Sequence, residues 1–390
     1  MNYSFQNKKI AIFGAGIVGK IILNILEKKN IKIDCFFDNF IEEGTYVDGV
    51  IVHNFKTYRG ELNYLYIISV QNIELIINQL YELEQCEFIT INKIIEKKDL
   101  KNYLYLNTND YKNLELSYYI HKNYSEKEKL NLNTLDLVIT EKCSLKCKEC
   151  SNLMQYYENP INYSLEILKK WVDVVANIYD EIYEVRIIGG EPFINKAIGN
   201  IINYLSLKKN IIRIVIFTNG TIIPNKKDLD IIKKKDVLVS ISDYGILSNK
   251  INDLKKIFQD EDIKYDCKKI DEWVSCSSFF KHKRSLEQLK NVYKNCCAKN
   301  LATLLNGKIY PCPFIANAMN LKAIPKIAND FVSIENNSDF NSIKKSIIKN
   351  LTNKDFLESC DFCKGRPYFP EKTIPPHEQI ENKIKYEIIT

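Results

Sequence analysis

The 390-residue chain is longer than one ordinary core, since single domains run about 100 to 200 residues, so two or three are expected. Its composition, 45% hydrophobic and 27% charged, reads as soluble and globular. The formal charge of +6 comes from lysines scattered along the whole length, which reads as solvated faces and argues against a nucleic-acid groove.

The first apolar run, Ile10 to Leu26, is interrupted by Gly14, Gly16, Gly19 and Lys20 and lacks a small-residue cleavage site. It is also short for a bilayer, so no membrane span and a cytoplasmic location are expected. The text "KKIAIFGAG" reads as a strand, "IVGKIILNILEKKN" as a helix and "KIDCFFDN" as a second strand. Further runs, "YLYIISV" and "CEFITI", bracket the helical "NIELIINQLYELEQ", which predicts a Rossmann-like parallel sheet over residues 1–95. Gly14, Gly16 and Gly19 give G-x-G-x-x-G between strand and helix, with Asp38 closing the next strand. Such glycines present backbone N–H groups to a phosphate, and the acid can take ribose hydroxyls. "FFDNFIEEGTYVDGVIV" resembles the N-terminal domain of certain sugar acetyltransferases, which implies a nucleotide or nucleotide-sugar site. A scaffold without a ligand is the alternative.

Residues 96–132 are polar and tyrosine-rich with no clean period, and read as a linker holding a helix or two. A second strand–helix series follows over 133–295. Its strands are "TLDLVIT", "YEVRIIGGEPF", "IIRIVIFTNGT", "DVLVSISDYG" and "IKYDCKKI", with short helices between them. Five apolar strands joined in this way predict a curved parallel sheet or partial barrel, whose functional residues sit at the carboxyl ends of the strands.

Twelve cysteines in a reducing compartment point to metal or redox chemistry. Cys143, Cys147 and Cys150 are spaced C-x3-C-x2-C after the first strand of this series, one thiolate short of a filled tetrahedral site. Three thiolates suit an iron–sulfur cluster with one open iron, or a zinc with a distant fourth ligand.

The spacing, its place after that strand and the later "GGEP" together resemble the radical S-adenosylmethionine (SAM) superfamily over roughly Leu135 to Cys296. The resemblance implies a partial (β/α)6 barrel in which Cys143, Cys147 and Cys150 hold a 4Fe-4S cluster. SAM would bind the open iron, and one electron would release a 5'-deoxyadenosyl radical. Gly189, Gly190 and Glu191 match the motif that meets the methionine amino group, two glycines allowing close approach and a carboxylate pairing with an ammonium. Thr218, Asn219, Ser240, Ser242 and Asp243 stand at strand ends suited to ribose and carboxylate contacts, or to turn chemistry alone. The residue before the third cysteine is usually aromatic in this family and lies near the adenine. Here it is Glu149.

Downstream, Cys297, Gly307 and Cys312 are followed by Cys360 and Cys363 in "CDFC". This resembles the shortened "twitch" form of the SPASM extension, which implies a small α+β region over 296–370 holding an auxiliary 4Fe-4S cluster, before a tail at 371–390. A structural zinc is the alternative, and Cys296, next to Cys297, is the alternative ligand. Cys276 is the candidate hydrogen-atom donor to a substrate radical. Cys35, Cys86 and Cys267 read as inert thiols. Tyr244, Trp273, His282 and Arg284 are candidate substrate contacts.

The expectation is a three-part radical enzyme that oxidises or epimerises a carbinol carbon of a sugar-type substrate, served by a flavodoxin- or ferredoxin-type electron donor. The rivals are a peptide-modifying maturase and a zinc-stapled nucleotide-binding scaffold.

Overall fold

Short apolar runs punctuated by glycine and asparagine set the strands of the first of two units, Met1–Lys129 and Leu130–Thr390. The structure, a computed structural model, describes every residue except 1–4, 6–7, 59, 84–85, 104–107, 300, 336–338, 353, 369, 382–383 and 389–390.

The first unit runs β1 (Ile10–Phe13), α1 (Ile17–Glu27), β2 (Cys35–Asp38), β3 (Thr45–Val47), β4 (Val50–Asn54), β5 (Leu65–Ile68), α2 (Ile73–Tyr81), β6 (Glu87–Thr90) and α3 (Thr108–Ser125). The sheet order is β3-β4-β2-β1-β5-β6, parallel except for the β3–β4 pair. Since β1 lies between β2 and β5, the connections leave it in opposite directions and its carboxyl end is a topological switch point. Alternate residues Ala11, Phe13, Cys35, Phe37, Tyr66 and Ile68 pack on Ile73, Ile76, Ile77 and Leu80 of α2. The β3–β4 hairpin turns at Asp48 and Gly49, at φ 49° and 81°, a left-handed pair that Asp-Gly tolerates. Within the stretch read as a linker, α3 buries Leu114, Tyr118, Tyr119 and His121 and packs beside α1.

The second unit begins β7 (Asn131–Thr140), α4 (Leu165–Ile178), β8 (Glu181–Gly189), α5 (Ile198–Leu205), β9 (Ile211–Thr218), α6 (Lys226–Lys234), β10 (Leu238–Asp243), α7 (Ile251–Asp260) and β11 (Tyr265–Lys269). It continues with α8 (Leu286–Lys294), β12 (Ala302–Leu305), β13 (Lys308–Tyr310), α9 (Pro313–Asn320), β14 (Val332–Ser333) and α10 (Phe340–Ile347). The strand order is β11-β10-β9-β8-β7-β12-β13-β14, and the first six are parallel. Four sequential βα steps in one direction put α4 to α7 on one face and let the sheet curl round the other, the architecture of an open (β/α) barrel. Five of these strands are in the predicted series. The sixth, β12, belongs to the later hairpin and pairs with β7 through Ala302 and Leu135.

The helices are held as their sequences dictate. Ser164 caps α4 by accepting from the Ile167 N–H at 3.4 Å, and Leu168, Trp171, Val172, Val175 and Ile178 make its buried stripe. On β7, Leu135, Leu137 and Ile139 alternate with Thr134, Asp136 and Val138. Register places Asp136 beside Arg186 and Thr303, Glu184 beside Arg213, and Ser240 beside Asp266, so the face away from the helices carries a charged row.

Candidate functional site

The three-cysteine loop leaves the carboxyl end of β7, and β8 holds it from below. Gly190 N–H donates to Thr140 C=O at 3.1 Å and Glu191 N–H to Lys142 C=O at 2.8 Å. A Cβ on Gly189, whose φ is +153°, would stand 2.0 Å from the Thr140 oxygen. One on Gly190 would stand 2.1 Å from the Lys142 oxygen and 2.7 Å from Cys143 Cβ. The close approach these glycines allow is that of the chain's own cysteine loop.

N–H donors face the thiols. Leu145 N–H lies 3.4 Å from Cys143 Sγ, Asn219 Nδ2 lies 3.7 Å from it, and Gln379 Nε2 lies 3.1 Å from Cys147 Sγ. Burial, then the neighbouring Cys150, pushes the Cys143 thiol up to about 12. Burial pushes Cys147 up to about 11 and also raises Cys150, against backbone N–H groups of Met154, Asn152 and Leu153. Among the described residues no group of three or more His, Cys, Asp or Glu is gathered as a single-ion metal site. The case for a cluster therefore rests on the donor set: three mutually interacting thiols from one loop, with N–H groups aimed at sulfur. That set fits a group that takes up thiolates and is stabilised by hydrogen bonds to sulfur.

Glu191 is fully buried, and burial pushes its carboxyl up to about 7. It accepts from Thr218 Oγ1 at 3.0 Å, from Asn219 N–H at 2.8 Å and from Phe193 N–H at 3.2 Å. This carboxylate ties the end of β8 to the end of β9. Asn219 bridges onward, donating to Ser144 Oγ at 3.1 Å and accepting from Thr221 N–H at 3.1 Å. Of the other strand-end residues, Ser240 donates to Asp266 at 2.7 Å, and Asp243 accepts from Gly245 N–H at 2.8 Å, closing its own turn. The Ser242 hydroxyl bonds Tyr244, whose phenol interacts with all three thiols of the loop and is raised mainly by burial. Tyr244 also packs on Trp273 at 5.6 Å and His377 at 5.7 Å between ring centres.

Glu149 is held by the segment after β11. It accepts from Ser275 Oγ at 3.2 Å, Cys276 N–H at 2.9 Å and Ser277 N–H at 3.0 Å, and so ties the cysteine loop to the segment after β11. Cys276, fixed in this way, is buried, and burial pushes its thiol up to about 12. Its electrostatic neighbours include Cys150 of one set and Cys363 of the other.

In the second set, Cys296 and Cys297 stand differently. Cys360 interacts with Cys312, Cys363 and Cys296, while Cys312 and Cys363 each interact with Cys296. Cys297 interacts with its neighbour Cys296 and with Arg366, and its N–H is tied to Arg366 C=O at 2.7 Å. Of the adjacent pair, Cys296 is the one whose thiol interacts with Cys312, Cys360 and Cys363. Burial raises the Cys312, Cys360 and Cys363 thiols. Cys312 caps α9, its Sγ accepting from Ile315 N–H at 3.5 Å. Arg284, expected near substrate, instead donates to the Cys360 and Cys363 carbonyls, both at 2.8 Å, and braces the "CDFC" turn. The His282 ring lies against Phe280 at 4.2 Å between centres.

Arg366 escaped the sequence reading. Its guanidinium interacts with Cys276, Cys297, Cys296 and Cys312, and also with Cys150 and Asp136. Asp136 is buried, one of its carboxylate oxygens has no hydrogen-bond partner, and burial pushes its pKa up to about 6. The available signal was composition. Only five of the 55 basic residues are arginine, and Arg186, Arg213, Arg284 and Arg366 all take part in these networks. A surface groove of about 870 Å³ beside α4, lined in part by Asn162, Trp171 and Glu335, contains none of the cysteines and is apart from this chemistry.

In the first unit, Asp38 accepts from Ala15 N–H at 3.1 Å and Phe40 N–H at 2.9 Å, and so braces the glycine loop itself. A Cβ on Gly14 would stand 2.6 Å from Val70 and one on Gly19 would stand 1.9 Å from the Gly14 oxygen, whereas Gly16 faces open space. Cys35 is buried in the sheet, Cys86 is partly buried, and Cys267 lies by Lys255.

Among known proteins, the chain is 34% identical over 122 residues to the GTP 3',8-cyclase of Clostridium acetobutylicum, covering 30% of this chain and 36% of that protein. It is 28% identical over 103 residues to that of Syntrophomonas wolfei, covering 25% and 30%. The chain thus spans about a third of the length of these curated relatives. Of solved structures, BtrN in complex with AdoMet and 2-DOIA matches with a TM-score of 0.40 and 15% identity, over 60% of this chain and 93% of that one. Streptococcus suis SuiB bound to S-adenosylmethionine matches with a TM-score of 0.31 and 21% identity, over 45% and 44%. The Radical SAM superfamily model matches residues 137–242, a span that contains Cys143, Cys147, Cys150 and the Gly189–Glu191 turn. The chain therefore carries a radical SAM domain over that span.

Proposed function

We propose that the protein cleaves SAM reductively and removes a hydrogen atom from a sugar or nucleotide-sugar-like substrate, oxidising or epimerising a carbinol carbon. When bound, a four-iron cluster with an open iron supplies the electron for that cleavage. Cys143, Cys147 and Cys150 would hold it, and Cys296, Cys312, Cys360 and Cys363 would hold an auxiliary cluster. The observation that supports the reading is the three-cysteine loop, with N–H donors facing Cys143 and Cys147, inside the span 137–242 that matches the Radical SAM superfamily model.

The charged row of Asp136, Glu184, Arg186 and Arg213 suits a polar substrate better than an apolar one, since an apolar ligand would leave those groups unsolvated. Arg366 would hold an anionic group, such as a phosphate, and Asp136 would accept from a hydroxyl. Tyr244 offers the aromatic face that Glu149 does not. Cys276 would return a hydrogen atom if the reaction is an epimerisation. The glycine loop of the first unit would by itself hold a nucleotide or nucleotide-sugar, and the electron would come from a flavodoxin- or ferredoxin-type donor.

The test uses anaerobically reconstituted protein with SAM, a low-potential reductant and sugars or nucleotide-sugars deuterated at carbinol carbons. The expected result is 5'-deoxyadenosine carrying deuterium from one of them. Zinc without sulfide in the purified protein, or no 5'-deoxyadenosine under several reductants, overturns the reading.

A further inference from the structure

Residues 374–380 return to the three-cysteine loop and pair with it along the backbone. Trp273 and Ile374 exchange N–H···O bonds of 2.9 and 2.8 Å, which anchors the segment at one end. His377, at φ 56°, turns the chain. Lys148 N–H then donates to Glu378 C=O at 2.7 Å and Ile380 N–H to Lys146 C=O at 2.9 Å, flanking an antiparallel bridge between Cys147 and Gln379. The Lys148 and Glu378 side chains pair outside it at 3.1 Å.

The Gln379 amide is fixed at both ends. Its Oε1 accepts from Lys146 N–H at 2.7 Å, and its Nε2 donates to Cys147 Sγ at 3.1 Å and to His377 C=O at 2.7 Å. One end meets a donor and the other meets only acceptors, so the amide's orientation follows from its network.

We infer that Gln379 is a positioning residue of the three-cysteine site, which directs an N–H at Cys147 and raises the reduction potential of the cluster held there. The inference rests on the cluster reading above. Hydrogen bonds to ligand sulfur stabilise the more negative, reduced form, so a donor in this place favours uptake of the electron. None of the local spacing around the cysteines contains this residue, which is 232 positions away from Cys147.

The experiment uses two variants of the full chain, reconstituted anaerobically. Gln379→Met keeps the length of the side chain but has no donor. Gln379→Glu keeps an acceptor for Lys146 N–H and loses the donor to sulfur. Iron and sulfide per chain are measured first, then the midpoint potential of the EPR signal that shifts on adding SAM. In both variants the reduced-to-oxidised ratio at a fixed potential should fall by up to about tenfold, which is about 59 mV for a one-electron couple. Glu378→Gln, which loosens only the outer pair, should leave the potential in place.

Full iron with an unchanged potential in both variants overturns the role of Gln379 and leaves the cluster reading standing. A wild type that takes up no iron and sulfide overturns both. If a variant loses iron, the potential is read on the fraction that retains it, and an unchanged value there counts against the proposal.

Discussion

Glu149 shows how one side chain can depart from a family pattern and still be required. Its carboxylate answers two backbone N–H groups and a hydroxyl from residues 275–277, and so fixes the backbone that carries Cys276. Replacing it with the aromatic common at this place, Glu149→Phe, would leave those N–H groups without an acceptor, at about 1–3 kcal/mol. The expected result is a lower denaturation midpoint with no gain in SAM affinity, and a Phe variant as stable as the wild type would refute the bracing role. The neighbouring cysteines allow a sharper comparison. Cys296→Ala should remove the auxiliary iron and sulfide, whereas Cys297→Ala should keep them, because Cys296 interacts with Cys312, Cys360 and Cys363 while the Cys297 N–H is tied to Arg366. Equal iron content in the two variants would return the assignment to the open state in which the spacing left it.

At the scale of elements, the end of β8 and the cysteine loop form one joint. The glycines that suggest room for a ligand are needed first because the loop backbone lies against them, so Gly190→Ala forces the Lys142 carbonyl and Cys143 to move. Overpacking of this kind costs about 1–3 kcal/mol. The expected outcome is loss of iron from the three-cysteine site alone, read as retained auxiliary iron with no SAM-responsive EPR signal; full loading would refute it. The strands and the order of the second unit were legible because apolar runs of strand length alternate with helical stripes such as that of α4. The β12–β13 hairpin was legible from Asn306-Gly307, both of which have positive φ. That β12 also pairs with β7 was not legible, since a pairing across more than 160 residues leaves no local periodicity. The same holds for Gln379, Arg366 and the Glu149 contacts, whose partners lie far away in the chain. Helix α3 was blurred for a different reason: apart from Leu114 its buried face is made of tyrosines, a serine and a histidine, which polarity alone reads as solvated.

Both cysteine sets lie in the second unit, and the first holds an acid-sensitive group. His121 of α3 is fully buried, with Nδ1 accepting from Ile91 N–H at 3.2 Å and Nε2 2.8 Å from the Val70 oxygen, which fixes a neutral ring protonated on Nε2. Burial holds its pKa down at about 4, against the ordinary 6.5. The sign follows from linkage. Above pH 6.5 the ring is neutral in both states and its contribution is complete. As pH falls from 6.5 to 4 the unfolded chain takes up a proton that the folded one refuses, and about 3 kcal/mol is lost. His121→Gln offers the same acceptor and donor without titrating. Urea unfolding of the full chain, followed by a probe in residues 1–129, should show the wild type weakening across this window while the variant lacks that part of the slope. An identical pH dependence in both proteins would mean that the acid sensitivity of the first unit lies elsewhere than in this ring.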